Sequence, residues 1–216
     1  MSLTLYFHPL SSFCQKAVMA LYENETAFTP HLVNFGEEKS RAEFLALWPL
    51  GKFPVLRDAA KDRLVPESTI IIEYLARHYP GRVPLVPADV DLAVEARLWD
   101  RFYDLYVNQV MQTIVGDRLR PADKKDPYGV AQARAKLQTV YGMIEREMAS
   151  RTWAAGDAFT MADCAAAPAL FYADKVAPFG DTHPNTKAYF ERLLRRPSFE
   201  RALAEAKPYF GLFPQE

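Results

Sequence analysis

Tyr6-Phe7-His8-Pro9-Leu10-Ser11-Ser12-Phe13-Cys14-Gln15-Lys16-Ala17-Val18 decides the fold: an apolar strand ends in a proline turn and runs straight into a helix. Leu3 to Phe7 is short, β-branched and aromatic, His8-Pro9 breaks it, and from Lys16 onward Val18, Leu21 and Tyr22 recur at helical spacing. Ser11 or Ser12 is then the natural N-cap. A helix start presents unpaired N–H groups and the positive end of the helix dipole, so the junction favours a negative ligand. Ser11-x-x-Cys14 has the spacing of a redox Cys-x-x-Cys whose first cysteine has become serine. Such a serine cannot cycle through a disulfide, but its hydroxyl can donate a hydrogen bond to a thiolate brought in by a ligand.

Outward from that junction, Phe28 to Val33 reads as a second strand parallel to the first, and Glu37 to Leu47 as a short helix with Phe44, Leu47 and Trp48 on its apolar side. Gly51 to Arg57 and Arg63 to Val65, joined by a polar turn, read as a hairpin. Pro66-Glu67-Ser68 then opens a helix that runs through Tyr79. The order βαβ, helix, ββ, helix is that of a thioredoxin-like domain.

Pro80 to Pro87 holds three prolines and one glycine in eight residues, the composition of a linker, and beyond it the chain reads as helical throughout. The expected division is residues 1–80, a linker at 81–88, and an all-helical domain at 89–216, so the fold class is α/β plus all-α. In the second part Asp91 to Val115 is expected as one long helix with Leu98, Phe102, Leu105, Val110 and Ile114 on its core side. Tyr128 to Ser150, Thr160 to Asp174, Asn185 to Arg195 and Ser198 to Ala206 follow. Thr160-Met161-Ala162-Asp163 is a capping box, and Pro168 inside that helix is expected to kink or split it. The apolar tail Tyr209 to Phe213 is expected to fold back toward the substrate cleft, since so much aromatic surface does not dangle in water.

Composition narrows the function. The 216 residues carry 26 basic and 27 acidic side chains, a net charge of -1, so no basic field points to nucleic acid. Cys14 and Cys164 are too far apart in sequence to form a disulfide framework, and no zinc-ligand spacing occurs. With no basic-then-apolar leader and no long apolar run, the expected setting is the cytoplasm, without a membrane span and without a metal.

Ser11 followed five residues later by Lys16 resembles the motif of the cytosolic glutathione transferases of bacterial type with an N-terminal catalytic serine, and the two-part organisation extends that resemblance over the whole chain. The resemblance implies Ser11, not Ser12, as the catalytic residue and glutathione as co-substrate. It implies a cis bond at Phe53-Pro54, with Val55 pairing its backbone to the peptide like an added strand. Glu67 and Ser68 would hold the γ-glutamyl end, and Lys39 and Lys52 are the candidates for the glycyl carboxylate. A small hydrophobic electrophile would lie near Leu10, Tyr103 and Tyr106. A homodimer and a role in detoxification are implied as well. The alternatives are a maleylacetoacetate isomerase of the zeta type, from which Phe13-Cys14-Gln15-Lys16 departs, a thiol reductase using Cys14, and a transferase-like binding protein without catalysis.

Overall fold

The computed structural model describes residues 2–215. Its first part is built from β1 (Leu3–Phe7), α1 (Ser12–Glu23), β2 (Thr29–Leu32), α2 (Glu38–Leu47), β3 (Val55–Asp58), β4 (Arg63–Pro66) and α3 (Ser68–His78). The sheet order is β2-β1-β3-β4, with β2 parallel to β1 and both hairpin strands antiparallel to their neighbours. This is the expected thioredoxin-like arrangement. Alternation along β1 buries Leu3, Leu5 and Phe7 on one face and leaves Thr4 and Tyr6 half-buried on the other.

The second part is α4 (Val90–Phe102), α5 (Gln109–Arg118), α6 (Pro127–Met148), α7 (Met161–Val176), α8 (Pro184–Leu194) and α9 (Pro197–Ala206). It is all-helical, as expected, and α1 packs on α7 and α9 as well as on α3. That position explains why nearly every side chain of α1 is buried, its polar Gln15 and Lys16 included. A single apolar core consequently runs through both parts, while Val33, Phe44 and Val55 form a smaller cluster beneath α2.

The linker is pinned rather than loose. Asn24 uses its amide as a strand would use its backbone, donating to the Val83 carbonyl at 3.1 Å and accepting from the Val83 N–H at 2.8 Å. Gly81 permits this approach, because a Cβ there would collide with the Asn24 side chain. The Leu85 carbonyl accepts from the Met161 N–H at 2.8 Å, tying the linker to the first turn of α7.

Three expectations are corrected. The helix anticipated over Asp91 to Val115 is interrupted at Tyr103–Asn108 by a π-helical turn between α4 and α5. Such a turn carries an additional residue and shifts the faces on either side of it. Leu98 is exposed rather than core, and Val94 joins it on the outer face of α4. Pro168 does not split α7: residues 161–170 are all buried, and packing on every side holds the helix across the hydrogen bond that the proline lacks.

The capping box forms as expected, Asp163 accepting from the Thr160 N–H at 2.8 Å and the Thr160 hydroxyl accepting from the Ala162 N–H at 3.3 Å. The tail turns back over the β1–α1 loop: Tyr209 meets His8 edge-on with ring centres 4.9 Å apart, and Phe213 stacks on Tyr172 at 5.4 Å.

Candidate active site

Between the two parts lies a cleft of about 330 Å³. The β1–α1 junction contributes Ser11 and Phe13 to it, the loop before β3 contributes Gly51 to Pro54, and the start of α3 contributes Glu67 and Ser68.

Ser11 is the N-cap of α1, with φ -76° and ψ 125°, and its oxygen accepts from the Cys14 N–H at 3.4 Å. That bond uses only a lone pair, so the hydroxyl proton stays available to a ligand. Ser12 is buried and donates to Asn108 Oδ1 at 3.0 Å, a tie between the two parts. The two adjacent serines therefore differ in environment, and only Ser11 lines the cleft. The loop ahead of Ser11 is held from below, because Gln15 donates to the Pro9 carbonyl at 2.9 Å and Tyr172 donates to the Leu10 carbonyl at 2.7 Å.

Opposite Ser11 the Phe53–Pro54 bond is cis, as expected. Glu67 at the N-cap of α3 has φ 68°, a left-handed value that costs a non-glycine residue on the order of 1–3 kcal/mol and is concentrated at functional sites. It makes no side-chain cap bond, so the first N–H groups of α3, beside the buried Ser68, are left open to a ligand.

Beneath the cleft sits a buried charge cluster. The Lys16 ammonium lies 2.6 Å from Asp100 Oδ1, 2.7 Å from Asp104 Oδ2 and 2.8 Å from Thr69 Oγ1. Arg101 reaches Asp104, Asp100 and Thr69 from the solvent side. Burial raises the Asp104 carboxyl above its ordinary value, the Lys16 charge opposes that, and the Asp100 charge adds to it. Lys16 thus joins α1 to α4 and the π-helical turn.

Several expected site residues stand elsewhere. Val55 is fully buried in β3, opposite Tyr6 on one side and Pro66 on the other, so its backbone belongs to the sheet. Phe53, just outside the strand and ahead of the cis bond, is the residue that faces the cleft. Lys52 lines the cleft, whereas Lys39 projects from α2 with its side chain 84% exposed, 4.0 Å from Glu43. Tyr103 has no exposure and packs on Trp99, Phe102 and Tyr189. Tyr106 lies outside the cleft under Lys136, and Leu10 packs against the core. Both tyrosines lie in the π-helical turn, which buries one and turns the other to solvent. In their place the helical part offers Arg101, Asp104, Gln109 and Gln112.

Cys14 is fully buried, and burial pushes its thiol up to about 12 despite its bonds with the His8 N–H and Ser11. Cys164 is buried too, its thiol raised by the same cause. Neither has the depressed thiol pKa of a nucleophile, which weighs against the reductase reading. Both thiols are expected to resist a chromogenic disulfide reagent in the native protein and to react on unfolding, and Cys14→Ser is expected to retain conjugating activity. Rapid native labelling of Cys14 would contradict this. Among the described residues no group of His, Cys, Asp and Glu is arranged to hold a metal ion, and no helix is long and apolar enough to cross a membrane.

A thioredoxin-like domain set against an all-helical one, with the starts of α1 and α3 opening on the cleft between them, defines the class of the protein. Residues 5–83 match the family described as Glutathione S-transferase, N-terminal domain, and residues 102–197 match Glutathione S-transferase, C-terminal domain. The chain belongs to the glutathione S-transferase family and is a glutathione transferase. It is 26% identical over 204 residues to glutathione S-transferase GstB of Escherichia coli K12, covering 93% of this chain and 97% of that one. It is 30% identical to FtsZ-localized protein A of Caulobacter vibrioides, covering 98% and 94% of the two chains. A crystal structure of a glutathione S-transferase from Methylobacillus flagellatus with glutathione bound has a TM-score of 0.84 at 22% identity, over 93% of this chain and 98% of that one, which places the fold.

Proposed function

We propose that this is a bacterial-type transferase in which glutathione occupies the cleft as co-substrate, Ser11 stabilises its thiolate, and a small hydrophobic electrophile is attacked. The observation that carries this reading is that the Ser11 hydroxyl and the open start of α3 at Ser68 face one cleft. A thiolate at the first and a carboxylate at the second suit the two ends of a short thiol peptide. Glu67 supplies a negative charge for the ammonium of the γ-glutamyl group, Ser68 and the α3 amides bind its carboxylate, and Phe53 pairs backbone to backbone with the peptide. Lys52 is the partner for the glycyl carboxylate.

A hydrogen bond to a charged group contributes about 1.5 to 3 kcal/mol, which lowers a thiol pKa by roughly one to two units. The α1 dipole acts in the same direction, so no general base is needed. Glutathione-dependent turnover of halogenated aromatics, epoxides, disulfides and maleylacetone tests the reading. Turnover of maleylacetone alone would favour the isomerase, and binding without any turnover a transferase-like binding protein. Ser68→Ala is expected to weaken glutathione binding by about 1 to 3 kcal/mol, because it leaves a carboxylate short of a partner. An unchanged dissociation constant in calorimetry would remove Ser68 from the site.

We also propose a homodimer acting in cytoplasmic detoxification. Ile70, Val94 and Leu98 are each more than half exposed on α3 and α4, and the Arg97–Glu73 pair at 2.5 Å bridges those two helices. Apolar side chains gathered in this way fit a two-fold interface. Sedimentation at micromolar protein is expected to give the dimer mass, and a monomer would refute the assembly.

A further inference from the structure

The helical wall of the cleft holds two polar side chains that the thiolate mechanism does not use. Gln109 and Gln112 lie three residues apart at the start of α5, on one helical face, and both line the same cleft as Ser11. Both are exposed, and among the described residues neither side-chain amide has a hydrogen-bond partner. The other polar groups on this wall are engaged: Arg101 and Asp104 bind each other, and Asp104 also holds Lys16. Phe13 and Phe53 give the cleft its aromatic surface. The cleft therefore sets aromatic carbon surface from Phe13 and Phe53 opposite a polar helical wall whose four amide N–H donors are open to an acceptor atom.

We propose that Gln109 and Gln112 select electrophiles whose reacting carbon is conjugated to a carbonyl, their amides donating to the carbonyl oxygen as it gains charge. This rests on the transferase reading and names its second substrate. In the reaction the glutathione sulfur forms a bond to the β-carbon of the enone, and the carbon–carbon π pair shifts to leave an enolate oxygen. A water then gives a proton to the α-carbon and the carbonyl re-forms, with no leaving group. Donors aimed at an oxygen that becomes negative stabilise the transition state more than the ground state. An alkyl halide expels halide and has no carbonyl oxygen to gain charge, so it lacks the acceptor that these amides select.

The test is kcat/KM for a phenyl-substituted enone and for benzyl chloride in the wild type, Gln109→Met, Gln112→Met and the double variant. Methionine keeps length and helix propensity while removing the donors. The double variant is expected to lose about tenfold or more on the enone, less than the hundredfold or more of a preorganised oxyanion donor because these side chains are exposed. The ratio of the enone to the benzyl chloride kcat/KM is expected to fall about tenfold, and the KM for glutathione to stay within about twofold, because these side chains are on the electrophile's wall and not on the peptide's. Equal losses on both substrates, no loss on the enone, or a wild type that turns over benzyl chloride but not the enone would each overturn the proposal while leaving the transferase intact. A wild type that conjugates neither would overturn both.

Discussion

Ser11→Ala is expected to cut conjugation at neutral pH by about 8- to 25-fold while glutathione affinity changes little. A free thiol ionises near 8.5, and the serine hydrogen bond brings the bound thiol to roughly 6.5–7.5. Without that bond about 3% of bound glutathione is thiolate at neutral pH, against roughly a quarter to three quarters with it. The peptide contacts at Phe53, Glu67 and Ser68 remain, so the loss is expected in kcat. Because the defect is one of ionisation, it is expected to fade as pH rises above the free thiol value. The ultraviolet absorbance of thiolate, titrated on the complex, reads the shift directly. A variant that conjugates as fast as the wild type at neutral pH would show that Ser11 is not the catalytic residue. Ser11→Cys is expected to change the chemistry instead, since a thiol at a helix start is itself activated.

The largest effect on stability is expected from Lys16→Met, which removes the ammonium from between Asp100 and Asp104. Both carboxylates are nearly inaccessible, and Arg101 alone would face them from the solvent side. Breaking a buried pair in this way costs about 3 to 5 kcal/mol, a large share of the 5 to 15 kcal/mol typical of a folded domain.

The loss is expected to depend on pH with a definite sign. Burial already raises the Asp104 carboxyl in the folded protein from its ordinary 3.8, and Lys16 is the main group that opposes the rise, with Arg101 a lesser one. A raised folded value means that this group's contribution to stability is complete below the unfolded carboxylate range and is lost as pH rises through the folded value. Without Lys16 that value moves higher still. The deficit is therefore expected to be largest at neutral pH and to shrink as pH falls toward the carboxylate range. Urea denaturation of both proteins across that interval measures it, and a deficit that stayed constant or grew on acidification would contradict the account.

The thioredoxin-like half was legible because its signals are local. Ser11 marks a helix start and the prolines and glycines punctuate each strand; in the helical half an equally local signal is Thr160-Met161-Ala162-Asp163, which writes the cap of α7 into consecutive residues. What the sequence hid depends on partners distant along the chain. Val55 and Phe53 differ by only two positions, but β3 has a neighbour on each side, so the ladder takes Val55 and leaves Phe53 to the cleft. Lys39, near the start of α2, and Lys52, two residues before Pro54, are both candidate carboxylate partners in sequence, and only the folded chain puts Lys52 on the cleft and Lys39 away from it. Tyr103 and Tyr106 offer themselves as aromatic surface on a long helix, and only the packing around the π-helical turn shows that Tyr103 is core and Tyr106 faces away from the cleft. The burial of Lys16 could not be read at all, since it arises from carboxylates some ninety positions away.

The π-helical turn at Tyr103–Asn108 has a consequence for insertions and deletions. Each residue advances a helix by about 100°, so the additional residue acts as a phase shifter between two faces with different tasks. Asp100 upstream and Asp104 at the start of the turn are aimed at Lys16; downstream, Gln109 and Gln112 line the cleft. Deleting one residue in this turn would give a more regular helix and a worse protein. It would hold one face in phase only by rotating the other away, breaking either the grip on α1 or the wall of the cleft.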